Sequence, residues 1–205
     1  MSDPVRPWLA GKAQTVGDDR AAPAADQPWL TVVGIGDGGL ASLTGEALDA
    51  IDGAGTIFGG ERHLAMLGET RAETVLWDKP FADALDRLLA RAGTPTVVLA
   101  TGDPMWFGVG ASLARHVGPG EMRVLPAPSA FSLAAAKLGW PIQTAACLTV
   151  HGRPVDQMSR HLFPAERLLI LSEGAGSPRE IARLLTSRGF GQSRLVVLEH
   201  LSLLS

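Results

Sequence analysis

Short apolar runs alternate with amphipathic segments along the chain from residue 29 to residue 139. Runs rich in β-branched residues that end at glycine, aspartate or proline are typical of buried strands, and apolar residues recurring every three or four positions are typical of helices. Strands are predicted over residues 30–33, 56–58, 74–77, 95–99 and 122–125, and helices over residues 42–51, 61–66, 81–91, 108–116 and 129–138. Ser42 is the expected N-cap of the first helix, and Gly139 is expected to end the last. This alternation predicts a mainly parallel sheet with helices on both faces.

A second unit follows the first. Its predicted strands cover residues 145–150, 168–171 and 195–198, and its predicted helices cover residues 157–163 and 178–187. The sequence therefore predicts an α/β protein of two lobes, an N-terminal lobe over residues 29–139 and a C-terminal mixed α/β lobe over residues 140–205. We expect the C-terminal lobe to be truncated, because a further helix or hairpin would ordinarily cover a sheet whose last strand lies so near the terminus. Residues 1–28, rich in Ala, Asp, Pro and Gly without periodicity, are expected to be a mobile extension.

Composition narrows the functional classes. The chain has 205 residues, of which 46% are hydrophobic, and that is enough for a substantial core. Its net charge of −3 gives no electrostatic reason to expect a nucleic-acid partner. The single cysteine, Cys147, excludes an internal disulfide and fits a reducing compartment, so a cytoplasmic protein is expected. No apolar run reaches the roughly 18 to 20 residues of a membrane helix, and the N-terminus lacks a signal-peptide core.

The first predicted strand leads into a glycine-rich turn. Gly34, Gly36 and Gly39 have the G-x-G-x-x-G spacing with which a dinucleotide pyrophosphate is bound at a helix N-terminus. An NAD(P)-dependent oxidoreductase is therefore an alternative function. Residues 40–42, however, separate the third glycine from a convincing helix cap. The turn is equally explained as a tight connection that needs positive φ and binds no ligand, or as one wall of a crevice whose main ligand contacts come from other loops.

A second glycine-bearing turn follows the strand at residues 95–99. Asp103 can accept hydrogen bonds from its own loop and Pro104 fixes the turn, so a plain turn accounts for the start of the sequence Gly-Asp-Pro. It does not account for the three large apolar residues that come next, Met105, Trp106 and Phe107, because such side chains need a cover. A second lobe or a flat organic ligand would provide one. Because carboxyl ends of parallel strands meet at one edge of a sheet, both turns are expected at the same crevice.

Other catalytic chemistry has little support in the sequence. The five histidines are dispersed, so no metal site is predicted. No G-x-S-x-G motif is present, and Cys147 lies within an apolar strand, so hydrolase chemistry is not indicated. His151 and Arg153 end a predicted strand in the sequence His-Gly-Arg, where a histidine is ordinarily a hydrogen-bonded structural residue.

Five stretches taken together resemble the tetrapyrrole methylase family, the S-adenosylmethionine-dependent enzymes that methylate uroporphyrinogen and corrin precursors. They are VVGIGDGGLASLT, IFGGERHL, LATGDPMWFGVG, LPAPSAFSLAAAKLGWP and LTVHGR, followed more loosely by LVVLEHL. The resemblance runs from Val32 to about Leu201. The segments GGERHL and HGR favour the precorrin-6Y branch of the family.

The resemblance implies a two-lobed fold with S-adenosylmethionine folded in the cleft between the lobes. The family's cofactor contacts correspond here to one loop after the fourth strand and one after the fifth: Thr101, Gly102, Asp103 and Trp106 in the first, Ser129 and Ala130 in the second. Gly102 would allow the backbone to approach the cofactor closely, and the cofactor would cover Trp106. A proline of the first glycine-rich turn also contacts the cofactor in the family. Asp37 stands at that place, so this contact is not expected here.

The implied reaction is methylation of carbon 5 of the precorrin-6Y macrocycle, in cobalamin biosynthesis. From residue type and loop position, His151 is the candidate base, and Arg62, His63 and Arg153 are candidate partners for substrate carboxylates. A homodimer is expected from the family. Many precorrin-6Y enzymes also carry a second module that methylates carbon 15 and removes a carboxyl group, and nothing in this sequence resembles that module.

Overall fold

A computed structural model describes residues 28–77, 80–118, 120–199 and 201. The predicted mobile extension lies outside the described residues apart from Pro28. The strands are β1 Leu30–Ile35, β2 Thr56–Gly59, β3 Glu73–Leu76, β4 Thr96–Thr101, β5 Met122–Leu125, β6 Ala146–Thr149 and β7 Leu168–Leu171. The α-helices are α1 Gly45–Asp52, α2 Glu61–Met66, α3 Phe81–Leu89, α4 Val109–Leu113, α5 Ala130–Leu138 and α6 Ser177–Ser187. Within the described ranges no helix has both the length and the hydropathy of a membrane span.

The predicted parallel sheet is confirmed. It has five strands in the order β3-β2-β4-β1-β5, and every pair of neighbours is parallel. β1 lies between β4 and β5, with Leu30 opposite both Thr96 and Met122. All six residues of β1 are buried. This explains the unbroken apolar run, because a parallel sheet is covered on both faces.

Helices cover the two faces as right-handed crossovers require. On one face, α3 and α4 contribute Leu85, Leu88 and Leu113 to a cluster with Phe58 of β2. On the other face, α1 and α2 pack against a cluster that contains Ile57 of β2. Neighbouring residues of one strand thus enter opposite cores, as the alternation of side chains along a strand dictates.

The first helix begins two residues later than predicted. Ser42 does not cap it: residues Gly39–Ser42 form a 3-10 turn, and the Ser42 hydroxyl donates to the Gly39 carbonyl at 2.8 Å. Leu43 is extended, which breaks the helical path. Thr44 is the cap, and its Oγ1 accepts from the backbone N–H of Ala47 at 3.3 Å. Either hydroxyl residue could cap in principle, and the extended Leu43 decides between them.

The second sheet consists of β6 and β7, which are parallel. α5 packs on β7 through Phe131 and Leu169, and α6 packs on the other face through Ile181. Residues 155–161, predicted to be helical from 157 to 163, form a 3-10 segment. The division of the chain at residue 139 remains a prediction, although α5 packs with the second sheet rather than with the first.

The predicted strand over residues 195–198 is wrong. These residues have no regular secondary structure. Leu195, Val196 and Val197 are exposed, while Leu198 packs beside Leu201 on the α5 cluster. The segment has the β-branched composition of a strand. A strand also needs a partner ladder, however, and this segment pairs with no described strand.

Candidate functional site

The candidate site lies where the carboxyl ends of β1 and β4 meet. These neighbours are parallel, with Ile35 opposite Thr101, and the chain then leaves them toward helices on opposite faces of the sheet. Adjacent strands whose connections diverge in this way open a crevice at their carboxyl edge. The predicted meeting of the two glycine-bearing turns is therefore confirmed.

Gly34 allows three backbone segments to meet beneath this crevice. The Gly102 N–H donates to the Ile35 carbonyl at 2.9 Å, and the Ala127 N–H donates to the Gly102 carbonyl at 3.2 Å. A Cβ built on Gly34 would lie 2.6 Å from the Ala127 nitrogen and closer still to the Gly102 oxygen. No side chain fits there. The first glycine of the G-x-G-x-x-G pattern is thus used for backbone packing.

The rest of that pattern does not present an α-helix to a ligand. Gly39, with φ of +60°, leads into the 3-10 turn, and α1 begins only at Gly45. A dinucleotide-binding turn places a helix N-terminus immediately after the glycines. The geometry therefore gives no support to the oxidoreductase alternative.

The loop after β4 is a compact turn. Gly102 has a φ of +61°, in the left-handed region that favours glycine. Asp103 Oδ1 accepts from the Met105 N–H at 2.9 Å, as its predicted role within its own loop requires. Pro104 is buried under the start of α4, where a Cβ on Gly108 would lie 2.6 Å from the Pro104 carbonyl oxygen. These contacts fix the path of the loop.

The large apolar residues of this loop lean on the second unit. The rings of Trp106 and Phe107 lie with centroids 5.2 Å and 5.9 Å from that of Phe131, the second residue of α5. The guanidinium carbon of Arg153 lies 5.5 Å from the Phe107 ring centroid. Even so, 36% of Trp106 and 45% of Met105 remain exposed. The second unit thus supplies only part of the cover that these side chains need.

Phe131 is a site residue that sequence reasoning did not single out. It is 2% exposed and joins the loop after β4 to the core of α5. Its place one turn inside a capped apolar helix predicts only a core residue. Nothing local in the sequence indicates that Trp106 and Phe107 would pack on it.

The second predicted cofactor segment lies directly against the first. Ser129 caps α5, and its Oγ accepts from the Ser132 N–H at 3.1 Å. A Cβ on Gly102 would lie 3.3 Å from the Pro128 carbonyl oxygen and 3.6 Å from Ser129 Cα, with the Ala130 nitrogen at 4.0 Å. The structure therefore brings Gly102, Ser129 and Ala130 together, as the sequence predicts.

Helix α2 brings two further predicted residues to this edge. His63 Nε2 lies 3.1 Å from the Thr101 hydroxyl, in hydrogen-bonding distance. Burial, and then the neighbouring charge of Arg62, lower the pKa of His63 below its ordinary value of 6.5, which favours the neutral ring. Arg62 itself forms an ion pair with Asp37 at 3.2 Å. Asp37, at the position where the family has proline, thus holds the guanidinium beside the first turn.

His151 and Arg153 occupy the turn after β6. The backbone N–H of His151 donates to Thr149 Oγ1 at 3.1 Å, and Gly152 has a φ of +64°. The exposed His151 ring makes no hydrogen bond to any described residue. Arg153 reaches the loop after β4 through Phe107. No cluster of three or more His, Cys, Asp or Glu able to hold a metal ion occurs in the described ranges.

Comparison with known proteins gives consistent matches. The profile of the Tetrapyrrole (Corrin/Porphyrin) Methylases matches residues 29–204. The precorrin-6Y C(5,15)-methyltransferase [decarboxylating] of a Sinorhizobium species is 49% identical over 180 residues, which are 87% of this chain and 44% of that protein. The cobalt-precorrin-7 C(5)-methyltransferase of Salmonella typhimurium is 35% identical over 176 residues, 85% of this chain and 86% of that protein. The chain thus spans about half the length of the first relative.

Solved structures share the fold. The methyltransferase CobJ superposes with a TM-score of 0.63 at 22% identity, covering 79% of this chain and 77% of that one. The uroporphyrin-III C-methyl transferase of Thermus thermophilus, solved in complex with S-adenosylhomocysteine, has a TM-score of 0.56 at 28% identity, covering 78% of this chain and 76% of that one. The predicted α/β fold is thereby confirmed.

Proposed function

Because this chain belongs to the tetrapyrrole methylase family, we propose that it is an S-adenosylmethionine-dependent C-methyltransferase that methylates carbon 5 of a precorrin, of the precorrin-6Y type, in cobalamin biosynthesis. One observation carries the choice of carbon 5. The chain matches 86% of a relative named only for carbon-5 methylation, whereas it matches 44% of a relative named for both carbons. The activity at carbon 15 is assigned to a module outside these 205 residues.

The residues at the carboxyl edge of the sheet fit the proposed cofactor. Gly102 presents backbone without a side chain, its surroundings leave little room for a Cβ, and it lies against Ser129 and Ala130. Trp106, a third of it exposed, offers an apolar surface beside them. We assign cofactor binding to Thr101, Gly102, Asp103, Trp106, Ser129 and Ala130. When bound, S-adenosylmethionine supplies a methyl group already activated on a sulfonium.

The chain then has to position the substrate and exclude water, since an activated methyl group needs little further help. Met105 and Trp106 provide the apolar cover. His63 fixes the Thr101 hydroxyl from the side of α2. We assign Arg62, His63 and Arg153 to the carboxylates of the substrate, because guanidinium groups bind carboxylates through two parallel hydrogen bonds. The ion pair with Asp37 orients Arg62 for this role.

His151 is assigned as the acceptor of the proton that leaves the methylated carbon. Its ring is exposed at the turn after β6 and has no competing hydrogen bond with a described residue. We further propose that the enzyme works in the cytoplasm as a homodimer. The substrate is a small tetrapyrrole, and the proposal includes no nucleic acid and no membrane.

The decisive experiment is calorimetric titration of the chain with S-adenosylhomocysteine and, separately, with NADH. Binding of the first and not of the second is expected, and tight NADH binding without any response to S-adenosylhomocysteine would overturn the proposal. Gly102→Ala should abolish S-adenosylhomocysteine binding. Gly139→Ala is the matched control, because Gly139 has a similar φ of +64° but open space around it. Both variants should lose about 1 kcal/mol of stability to left-handed strain, and only the first should lose the ligand.

A further inference from the structure

A cavity of about 250 Å³ lies between the loop after β4 and the second sheet. Phe107 forms one wall and the residues of β6 another, and the 3-10 segment that follows Pro154 closes the third side. Its polar lining comes from Thr149, Arg153, Gln157, Arg160 and His161. No acidic side chain lines it, so two guanidinium groups and an imidazole face the space without a compensating carboxylate.

The two arginines of the cavity differ from the other arginines of the fold that carry a partner. Arg62, Arg91 and Arg123 each form an ion pair with an aspartate or glutamate. Arg153 and Arg160 form none with any described residue. Arg160 Nε donates to the Gln157 carbonyl at 3.1 Å, which fixes the stem of the side chain and leaves both terminal nitrogens available. Arg153 is held by the face of the Phe107 ring, which leaves the edge of its guanidinium available.

Held in place but not neutralised, such a pair is suited to an anion, and the planar fork of arginine matches a carboxylate. Pockets that enclose a whole drug-sized ligand measure about 300 to 1,000 Å³. A cavity of about 250 Å³ is below that range and suits a side chain of a larger ligand. Thr149 adds a hydroxyl whose oxygen already accepts from the His151 N–H, so its own hydrogen remains free to donate.

We propose that this cavity is a carboxylate-binding subsite, in which Arg160 together with Arg153 holds one acid side chain at the rim of the tetrapyrrole macrocycle. The inference rests on the proposed function and extends it to Arg160. Because Phe107 is shared by the cavity wall and the loop after β4, a macrocycle anchored here lies beside the segment that carries Trp106. The subsite fixes the rotation of the macrocycle in the site, and with it the carbon that is presented for methylation.

The test measures binding of cobyrinic acid, a corrinoid polycarboxylate, and of its fully amidated counterpart, by quenching of tryptophan fluorescence. The variants are Arg160→Gln, Arg160→Lys and the control Arg183→Gln, which alters an exposed arginine of α6 outside the cavity. S-adenosylhomocysteine binding and thermal unfolding are measured on each variant. One charge-assisted hydrogen-bonded contact corresponds to about a tenfold change in affinity.

Arg160→Gln should weaken binding of the polycarboxylate about tenfold and change binding of the amide less than about twofold. Arg160→Lys should recover part of the loss, and Arg183→Gln should resemble wild type. Equal weakening of acid and amide would show that Arg160 only supports the 3-10 segment, and would overturn the proposal. So would wild-type affinity of Arg160→Gln, or no binding of the polycarboxylate to the wild type. Absence of S-adenosylhomocysteine binding in every variant, with the acid-specific loss intact, would refute the methyltransferase and leave the subsite standing.

Discussion

Replacing Gly34 with alanine is expected to damage the fold and the site together. The added Cβ would lie 2.6 Å from the Ala127 nitrogen and closer to the Gly102 oxygen, both of which are backbone atoms. Overpacking of this kind costs about 1 to 3 kcal/mol. The displaced loops would also weaken two backbone hydrogen bonds, worth about 1 kcal/mol each. We therefore expect the free energy of unfolding to fall by about 3 kcal/mol, a substantial share of the roughly 5 to 15 kcal/mol of an ordinary domain.

Urea denaturation followed by circular dichroism measures this loss, and calorimetry measures S-adenosylhomocysteine binding of the folded variant. Because the displaced Gly102 carries the proposed cofactor contact, binding should weaken by at least about tenfold even well below the unfolding midpoint. Gly45→Ala is the matched control. A Cβ at Gly45, in the first turn of α1, meets no atom within 4 Å, so its stability should be unchanged or raised by less than about 1 kcal/mol. Equal stability and equal binding of Gly34→Ala and wild type would refute the packing argument.

Two further predictions follow from the caps and charges around the site. Ser129→Ala removes the N-cap of α5 and should lower the free energy of unfolding by about 1 kcal/mol, read from the urea midpoint; an unshifted midpoint would contradict the capping role. The pKa of His63 is lowered in the folded protein from 6.5, so the unfolded chain binds the proton more readily; the stability contribution is complete above that value and is lost as the pH falls below it. His63→Gln should therefore reduce the fall in unfolding free energy between about pH 7.5 and about pH 5.5, and an unchanged pH dependence would show that another group is responsible.

The parallel sheet could be predicted from the sequence because its signals are local. The apolar runs of β1 and β4 and the glycines that end the strands specify buried parallel strands and their connections. The meeting of Gly102 with Ser129 follows from that topology, since β1 separates β4 from β5 and all three end at one edge.

The remaining features depend on contacts distant in sequence. Residues 195–198 have strand composition, but only a partner could make them a strand. The hydrogen bond between His63 and Thr101 and the ion pair between Arg62 and Asp37 join segments whose spacing carries no signal. The packing of Trp106 on Phe131 likewise depends on how the two sheets are placed, which local periodicity does not specify.

The central place of β1 has a consequence for biosynthesis of the protein. This strand is translated first, yet its two neighbours are the last two strands of the sheet to be translated. Leu30–Ile35 therefore stays unpaired on the nascent chain until Leu125 has left the ribosome. Sheets dominated by such distant pairings fold slowly, and a long-exposed apolar strand is prone to aggregate. We expect the emerging chain to depend on chaperones until β5 is available, after which the sheet can close in one cooperative step.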